Sequence, residues 1–376
     1  MAPVCSARTL GVGLGAWLLG LPGIVVANNY GLNLPIGVTD ISARVHGLHT
    51  LVFWVCVAIG VIVFSAMFYS IFRHRRSLGA NAASFHESTA VEVLWTLVPL
   101  AILVSMAVPA TRLLIAMEDT SASDMTIKVT GYQWKWHYEY LDEDVSFFSN
   151  LATPQEQILG FEEKGEHYLL EVDNPMVVPV GKRIRILLTA TDVIHAWWVP
   201  ELAVKRDAIP GFVNEVWTRI EEPGVFRGQC AELCGRGHAF MPIVVIAKDE
   251  AGWQSWLEEQ RADRTAEETL ALGDWSLDEL MDRGKEVHDN HCAACHQVSG
   301  EGIPGAFPAI KGSSVALGPL QDHLAIVIHG RPGTAMSGFG PQLSDVDIAS
   351  VITYQRNAWG NDTGDAVTPE QIGSAR

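Results

Sequence analysis

The run "LVFWVCVAIGVIVFSAMFYSIF", Leu51 to Phe72, is followed at once by "RHRR", Arg73 to Arg76, and this pairing fixes its environment. About 20 consecutive apolar residues match the hydrocarbon thickness of a bilayer, and a basic cluster at one end marks the cytoplasmic side. A second segment, "VLWTLVPLAILVSMAVPATRLLIAM", carries Pro99 and Pro109, which membrane helices tolerate. Two spans, about 48–72 and 93–117, make a transmembrane hairpin and return the chain after about residue 118 to the outer side. Ahead of them, residues 1–27 combine Arg8, an apolar stretch and a small residue at Ala27, the pattern of a cleaved signal peptide. An uncleaved first membrane helix is the competing reading.

The pattern then changes. Residues 119–250 hold short runs rich in Val, Ile, Thr, Tyr and Trp ("TIKVTGYQWKWHYEY", "RIRILLTA", "PIVVIAK") with Gly, Pro, Asp and Asn between them, which predicts a small β-sandwich. Residues 251–276 are charged and Ala-rich, a helical or flexible linker. An amphipathic helix opens the segment 277–360, and the polar tail 361–376 is expected to lack regular structure. The net charge of -17 argues against nucleic acid as a partner, because phosphate neutralisation needs clustered Lys and Arg. Of the six cysteines, Cys5 and Cys56 lie in apolar segments, whereas Cys230 with Cys234 and Cys292 with Cys295 form tight pairs. Such pairs point to metal or cofactor attachment rather than a disulfide framework.

"CAACH" places His296 directly after Cys292 and Cys295, the attachment pattern of c-type haem, in a segment on the side of the membrane where covalent attachment occurs. The thiols add to the haem vinyl groups and the imidazole takes the proximal face of the iron; zinc held by a lone Cys pair is the alternative. Met336, in "GRPGTAMSGFG", is the only Met after the motif and the expected sixth ligand, with His323 and His329 as competitors. A surface position is the plain explanation of His323. A thioether opposite His raises the iron potential and suits electron transfer. Pro308, in "GAFPAIKG", resembles the proline that c-type cytochromes place against the proximal His, and 277–360 looks like an all-α class I cytochrome c domain.

"CAELCGRGHAFMP" spaces Cys230, Cys234, His238 and Met241 within one loop. Zinc has no need of Met, whereas thiolate, imidazole and thioether together are copper chemistry. A mononuclear blue-copper site uses one Cys; two thiolates four residues apart can both bridge the same two ions, giving a dinuclear pair that shares one unpaired electron. A second imidazole is then required, and "DVIHAWWVP" supplies His195 between apolar neighbours.

These motifs, with "GYQWKW" and the two spans, resemble subunit II of the haem-copper cytochrome c oxidases over about residues 40 to 250, in the variant fused to a cytochrome c domain. The resemblance implies a cupredoxin-like fold and two coppers held by His195, Cys230, Cys234, His238, Met241 and the backbone carbonyl of Glu232. It implies a magnesium ion on the Glu232 carboxylate at the interface with subunit I, electron entry at Trp134, and a proton-path mouth at Glu92. An acid at that place also suits the helix dipole, and Trp134 could be cross-strand packing. The implied activity is delivery of electrons from an external c-type cytochrome or a cytochrome bc complex, through haem c and copper, to the oxygen-reducing subunit I, with subunit III alongside, in a bacterial inner membrane. Two departures stand near the expected donor surface: Lys135 where an aromatic is frequent, and Glu215 in place of a Gln. The copper-bearing small subunit of a nitric oxide reductase and a membrane-anchored haem and zinc sensor are the rival readings.

Overall fold

The computed structural model describes residues 33–81, 84 and 86–376, so the signal-peptide expectation lies outside the described residues. The elements below belong to one unit, residues 36–376.

Two long helices come first, α1 (Asp40–Arg73) and α2 (Thr89–Glu118), both apolar enough to cross a membrane and unburied along their apolar windows. At 1.5 Å per residue they reach about 51 and 45 Å, well beyond a hydrocarbon core of about 30 Å. The excess of α1 explains why it begins earlier than the hydropathy suggests. Thr39 and Ser42 form a reciprocal capping box, Ile41 and Ser42 are buried, and the Val38 N–H donates to the Glu201 carbonyl at 3.1 Å. At the end of α2, Trp217 Nε1–H donates to the Ala116 carbonyl at 3.0 Å, and Arg206 grips Glu118 at 2.9 and 3.0 Å. The domain that follows is thus fastened to both helices.

That domain is a β-sandwich. Its first sheet runs in the order β3 (Val145–Ser149), β2 (Lys135–Tyr140), β1 (Met125–Tyr132), β5 (Ile184–Ala190), β8 (Asn214–Thr218). The second runs β4 (Met176–Pro179), β10 (Pro242–Lys248), β9 (Gly224–Cys230), β6 (His195–Val199), β7 (Val204–Ala208). A short helix, α3 (Gln155–Leu159), lies between β3 and β4. Strict alternation along β2 and β5 sends every second residue inward, as the pleat of a half-buried strand requires. Ile127, Trp136, Tyr138 and Ile186 from one sheet meet Trp197, Val199, Ile243 and Val245 from the other, all fully buried.

The expected linker does more than connect. Helix α4 (Glu250–Ala271) lays Trp253, Trp256 and Leu257 into the sandwich core, with the two indoles 5.1 Å apart and Trp256 5.2 Å from Tyr140. The copper-domain boundary expected at 250 therefore falls short of the core it delimits.

The last module is helical: α5 (Leu277–His291), α6 (Ala293–His296), α7 (Leu320–His329), α8 (Asp345–Asn357) and α9 (Pro369–Ala375). α5 crosses α8 so closely that a Cβ on Gly284 would lie 2.0 Å from the Ser350 carbonyl oxygen, which is why no larger residue stands there. Contrary to the expectation of an unstructured tail, α9 is capped by Thr368 and buries Ile372 in the module's core. Arg376 fastens it further, pairing with Asp345 at 2.6 Å. The tail's buried apolar residues, Val367, Pro369 and Ile372, are scattered among polar ones, too short a signal to read as a helix.

Candidate functional site

Strand pairing builds the metal cluster. Trp197 on β6 stands opposite Cys230 at the end of β9, and Ala231 N–H donates to the Ala196 carbonyl at 2.9 Å, so the strand that begins at His195 lies beside the cysteine loop. The other end of the loop is closed by Cys230 N–H donating to the Met241 carbonyl at 3.3 Å, just before β10 begins. Two strands and one loop therefore bring together residues separated by up to 46 positions in sequence.

The donor atoms are arranged in pairs. The Cys230 and Cys234 sulfurs are 3.8 Å apart; His195 Nδ1 lies 4.0 Å from the first and His238 Nδ1 3.5 Å from the second. Met241 Sδ is 3.4 Å from Cys234 Sγ, and the Glu232 carbonyl oxygen is 3.3 Å from Cys230 Sγ. His195, both cysteines and Met241 are buried, while the Glu232 side chain is exposed. Soft sulfur with imidazole nitrogen in a dry pocket fits copper.

Asp192, to which the sequence reading gave no role, orients the cluster. Its carboxylate accepts from His195 Nε2–H at 2.9 Å and from Gln133 N–H at 2.7 Å. The proton is thereby fixed on Nε2 and the Nδ1 lone pair is turned towards the sulfurs, the arrangement usual for a metal-binding histidine. Burial opposes the charge on Asp192, yet hydrogen bonds from His195 and from the N–H groups of Val193 and Gln133 hold its carboxyl below the usual range. Burial also opposes ionisation of Cys230, but His195 and the backbone at Ala196 and Glu232 bring its thiol down to about 7. Burial and the neighbouring Cys230 charge push Cys234 up to about 12. A carboxylate three residues before a ligand histidine was the available signal for Asp192.

Trp134 is joined to the cluster rather than merely packed near it. Its Nε1–H donates to the Cys234 carbonyl at 3.1 Å, as does Gln133 Nε2–H at 2.8 Å. A Cβ on Gly237 would come within 2.4 Å of the indole, so the ring lies against the copper loop because that position is glycine. Glu215 instead pairs with Arg185 on the neighbouring strand, Nε to Oε2 at 2.7 Å. Glu92 sits in the exposed first turn of α2.

In the helical module Cys292 closes α5, Cys295 and His296 lie in α6, and both thiols are free. His296 Nδ1–H donates to the Pro308 carbonyl at 2.9 Å, leaving Nε2 available, which fits a proximal haem ligand. Met336 stands in a loop drawn closed by Arg331 N–H donating to its carbonyl at 2.8 Å and by a bridge between Gly330 and Ser337. His323 is not the surface imidazole expected: α7 carries it into the core, where Nε2 bonds Gln355 Oε1 at 3.0 Å. His329 ends α7 and is exposed.

Comparison with known proteins separates the same parts. Residues 125–248 match the family model "Cytochrome C oxidase subunit II, periplasmic domain", residues 27–113 its transmembrane domain, and residues 279–354 "Cytochrome C oxidase, cbb3-type, subunit III". Cytochrome c oxidase subunit 2 of Cereibacter sphaeroides is 36% identical over 236 residues, covering 59% of this chain and 78% of that one. The chain belongs to the cytochrome c oxidase subunit II family. The probable subunit 2 of Rickettsia felis is 38% identical over 219 residues, covering 58% of this chain and 68% of the relative. Among solved structures, the periplasmic domain of subunit II from Bradyrhizobium japonicum shares 45% identity over 38% of this chain and 96% of its own, with a TM-score of 0.34. This subunit II therefore carries a membrane anchor, a copper-type cupredoxin-like domain and a fused C-terminal cytochrome c domain, and is part of an oxidoreductase. Family membership favours the oxidase over the nitric oxide reductase and over a haem and zinc sensor.

Proposed function

We propose that this chain is the electron-entry subunit of a respiratory terminal oxidase. It takes electrons from an external c-type cytochrome or a cytochrome bc complex and delivers them to an oxygen-reducing subunit I, with subunit III in the same complex. The observation that carries the reading is the pairing of donors: two buried sulfurs 3.8 Å apart, each with its own imidazole. Two thiolates and two imidazoles alone would also suit one tetrahedral zinc; the Met241 thioether 3.4 Å from Cys234 Sγ and the Glu232 carbonyl 3.3 Å from Cys230 Sγ add a fifth and a sixth donor, which supports two coppers.

His195, Cys230, Cys234, His238, Met241 and the Glu232 carbonyl would hold two coppers. Cys292 and Cys295 would carry the haem through thioether links, and His296 and Met336 would hold its iron. When bound, these groups supply one-electron carriers whose geometry changes little with charge. The chain's own contribution is positional. Trp197 and Met241 keep water from the cluster, and Asp192 fixes the His195 tautomer. Trp134 offers an indole bonded to the peptide of Cys234, a contact suited to electron entry. The exposed Glu232 carboxylate is free to take a magnesium ion at the subunit I interface, and Glu92 stands where a proton path would open on the cytoplasmic side. The "RHRR" cluster after α1 supports a cytoplasmic hairpin turn, with both cofactor domains on the periplasmic face of a bacterial inner membrane.

The test is flash reduction of the haem in the full chain loaded with haem and copper, followed optically at the copper bands. Copper reduction at a rate independent of protein concentration supports the relay within one chain. Copper that stays oxidised after the haem is reduced contradicts it.

A further inference from the structure

Lysine is among the residues least often buried, yet Lys135 is largely enclosed between two modules. It follows Gln133 and Trp134 in the turn that joins β1 to β2, with Tyr132 paired opposite Lys135. The turn that lays Trp134 on the copper loop therefore sends the lysine side chain out beside it. Its ammonium stands 5.3 Å from the ring of Phe148 on the sandwich and 5.0 Å from the ring of Phe339 on the haem module, and it donates to Gln342 Oε1. The carboxamide of Gln342 is held for this role, because its Nε2–H is committed to the Gly338 carbonyl at 2.5 Å and only Oε1 remains to face the amine. Phe339 and Gln342 directly follow the Met336 loop, and Phe339 is tied to α7 through its N–H to the Val327 carbonyl at 2.8 Å.

The surroundings show which face of the haem module is turned inward. Burial pulls the Lys135 amine down to about 8, while Cys292, Asp173, Asp192 and Cys295 act in the opposite direction. Cys295 in turn feels Arg236 of the copper loop as well as Lys135. The contacts of Lys135 with Phe339 and Gln342 set the stretch after the Met336 loop against the Trp134 turn. A cleft of about 430 Å³, lined by Gln133 and Asp192 on one side and by His329 and Ala335 on the other, continues the same seam.

We propose that Lys135 is a positioning residue that sets the register in which the chain's own haem module docks on the turn carrying Trp134. The proposal rests on the relay reading above. A buried ammonium adds little net attraction, since desolvation offsets most of what its partners return. Its effect is selective: of the ways two modules could meet, only one gives the amine two ring faces and a carboxamide oxygen. The lysine that departs from the family's frequent aromatic is thereby accounted for by a haem partner that never leaves.

The experiment uses the full chain loaded with haem and copper, as wild type, Lys135→Glu, Lys135→Arg and Gln342→Ala. Two readouts are taken: hydroxyl-radical labelling of Phe339 and Phe148, and the haem-to-copper transfer rate after flash reduction. Lys135→Glu sets a carboxylate against two ring faces and near Asp173 and Asp192. It should raise labelling at both rings and slow transfer, each by about tenfold or more, with haem and copper spectra unchanged. Lys135→Arg, which keeps the cation, should stay within about threefold of wild type, and Gln342→Ala should fall between the two. Wild-type labelling and rate in Lys135→Glu would overturn the proposal. Should that variant not fold, Gln342→Ala decides from the opposite face, and wild-type behaviour there overturns it equally. Labelling that changes while the wild type itself shows no transfer would leave the dock standing and defeat the relay instead.

Discussion

The two cofactor-type sites of this chain are built on different principles. Around the copper loop, paired strands fix the donors: Trp197 opposite Cys230, Cys230 tied to Met241, and the ligand sulfurs buried. In the haem module the attachment cysteines and His296 sit at a helix end and in a four-residue helix, half buried, with Met336 forty residues away in a loop. Strand register fixes side-chain positions because hydrogen bonds to the neighbouring strands lock the backbone on either side of the ligand. Helix ends and loops constrain side chains less, so the second site would rely on the proposed thioether links to complete its geometry. The sandwich is therefore a scaffold that imposes its ligand set, and the helical module a shell that closes around one.

The largest break in this comparison comes from the scaffold. Trp197 is fully buried and spans the seam between the sheets beside the cluster, its Nε1–H bonded to Tyr138 Oη at 3.3 Å. Trp197→Ala should cost the sandwich about 3–5 kcal/mol. Urea unfolding followed by separate probes should show the sandwich transition moving to lower urea while haem absorbance in the other module holds its midpoint. Coincident movement of both would show that the two are one cooperative unit.

Acid should act on the other side. His323 is buried, bonded to Gln355, and held down to about 4 by burial against an ordinary value of 6.5. The unfolded chain takes up that proton below about 6.5 and the native module only near 4, so this stability is complete above 6.5 and lost as the pH falls towards 4. The shift corresponds to about 3 kcal/mol. Urea midpoints of the haem module at neutral and acid pH should reveal it, and His323→Gln should flatten the dependence. In the sandwich, His195 is shifted the opposite way: burial pulls it down, but Asp192 and Cys230 outweigh burial and raise it.

A smaller and more local effect sharpens the claim that the scaffold imposes its ligands. Asp192→Asn keeps the side-chain volume and removes the charge that orders His195. Copper affinity should fall about 10- to 100-fold, measured by competition with a chelator, with urea stability nearly unchanged. A large loss of stability would instead make Asp192 a structural residue.

What could be read in the sequence follows the same division. Candidate donors were legible where chemistry is local: Cys230, Cys234, His238 and Met241 share one loop, and "CAACH" is self-contained. The membrane hairpin was legible because hydropathy alone decides it. Long-range packing was not. The early start of α1 depends on Glu201 and Leu202, and the extension of the sandwich core into α4 depends on Tyr140 meeting Trp256. Lys135 looked like a surface substitution because its partners, Phe339 and Gln342, lie some two hundred residues away in another module.

The central claim is that Cys230 and Cys234 hold two coppers that share one electron. It is tested most directly by electron paramagnetic resonance, with metal analysis, on the copper-loaded chain in a Cys292→Ser/Cys295→Ser background that removes the haem signal. Two coppers per chain and a hyperfine pattern spread over both nuclei, lost in Cys230→Ser and in Cys234→Ser, is the predicted result. One zinc, or a pattern from a single copper nucleus, would contradict it.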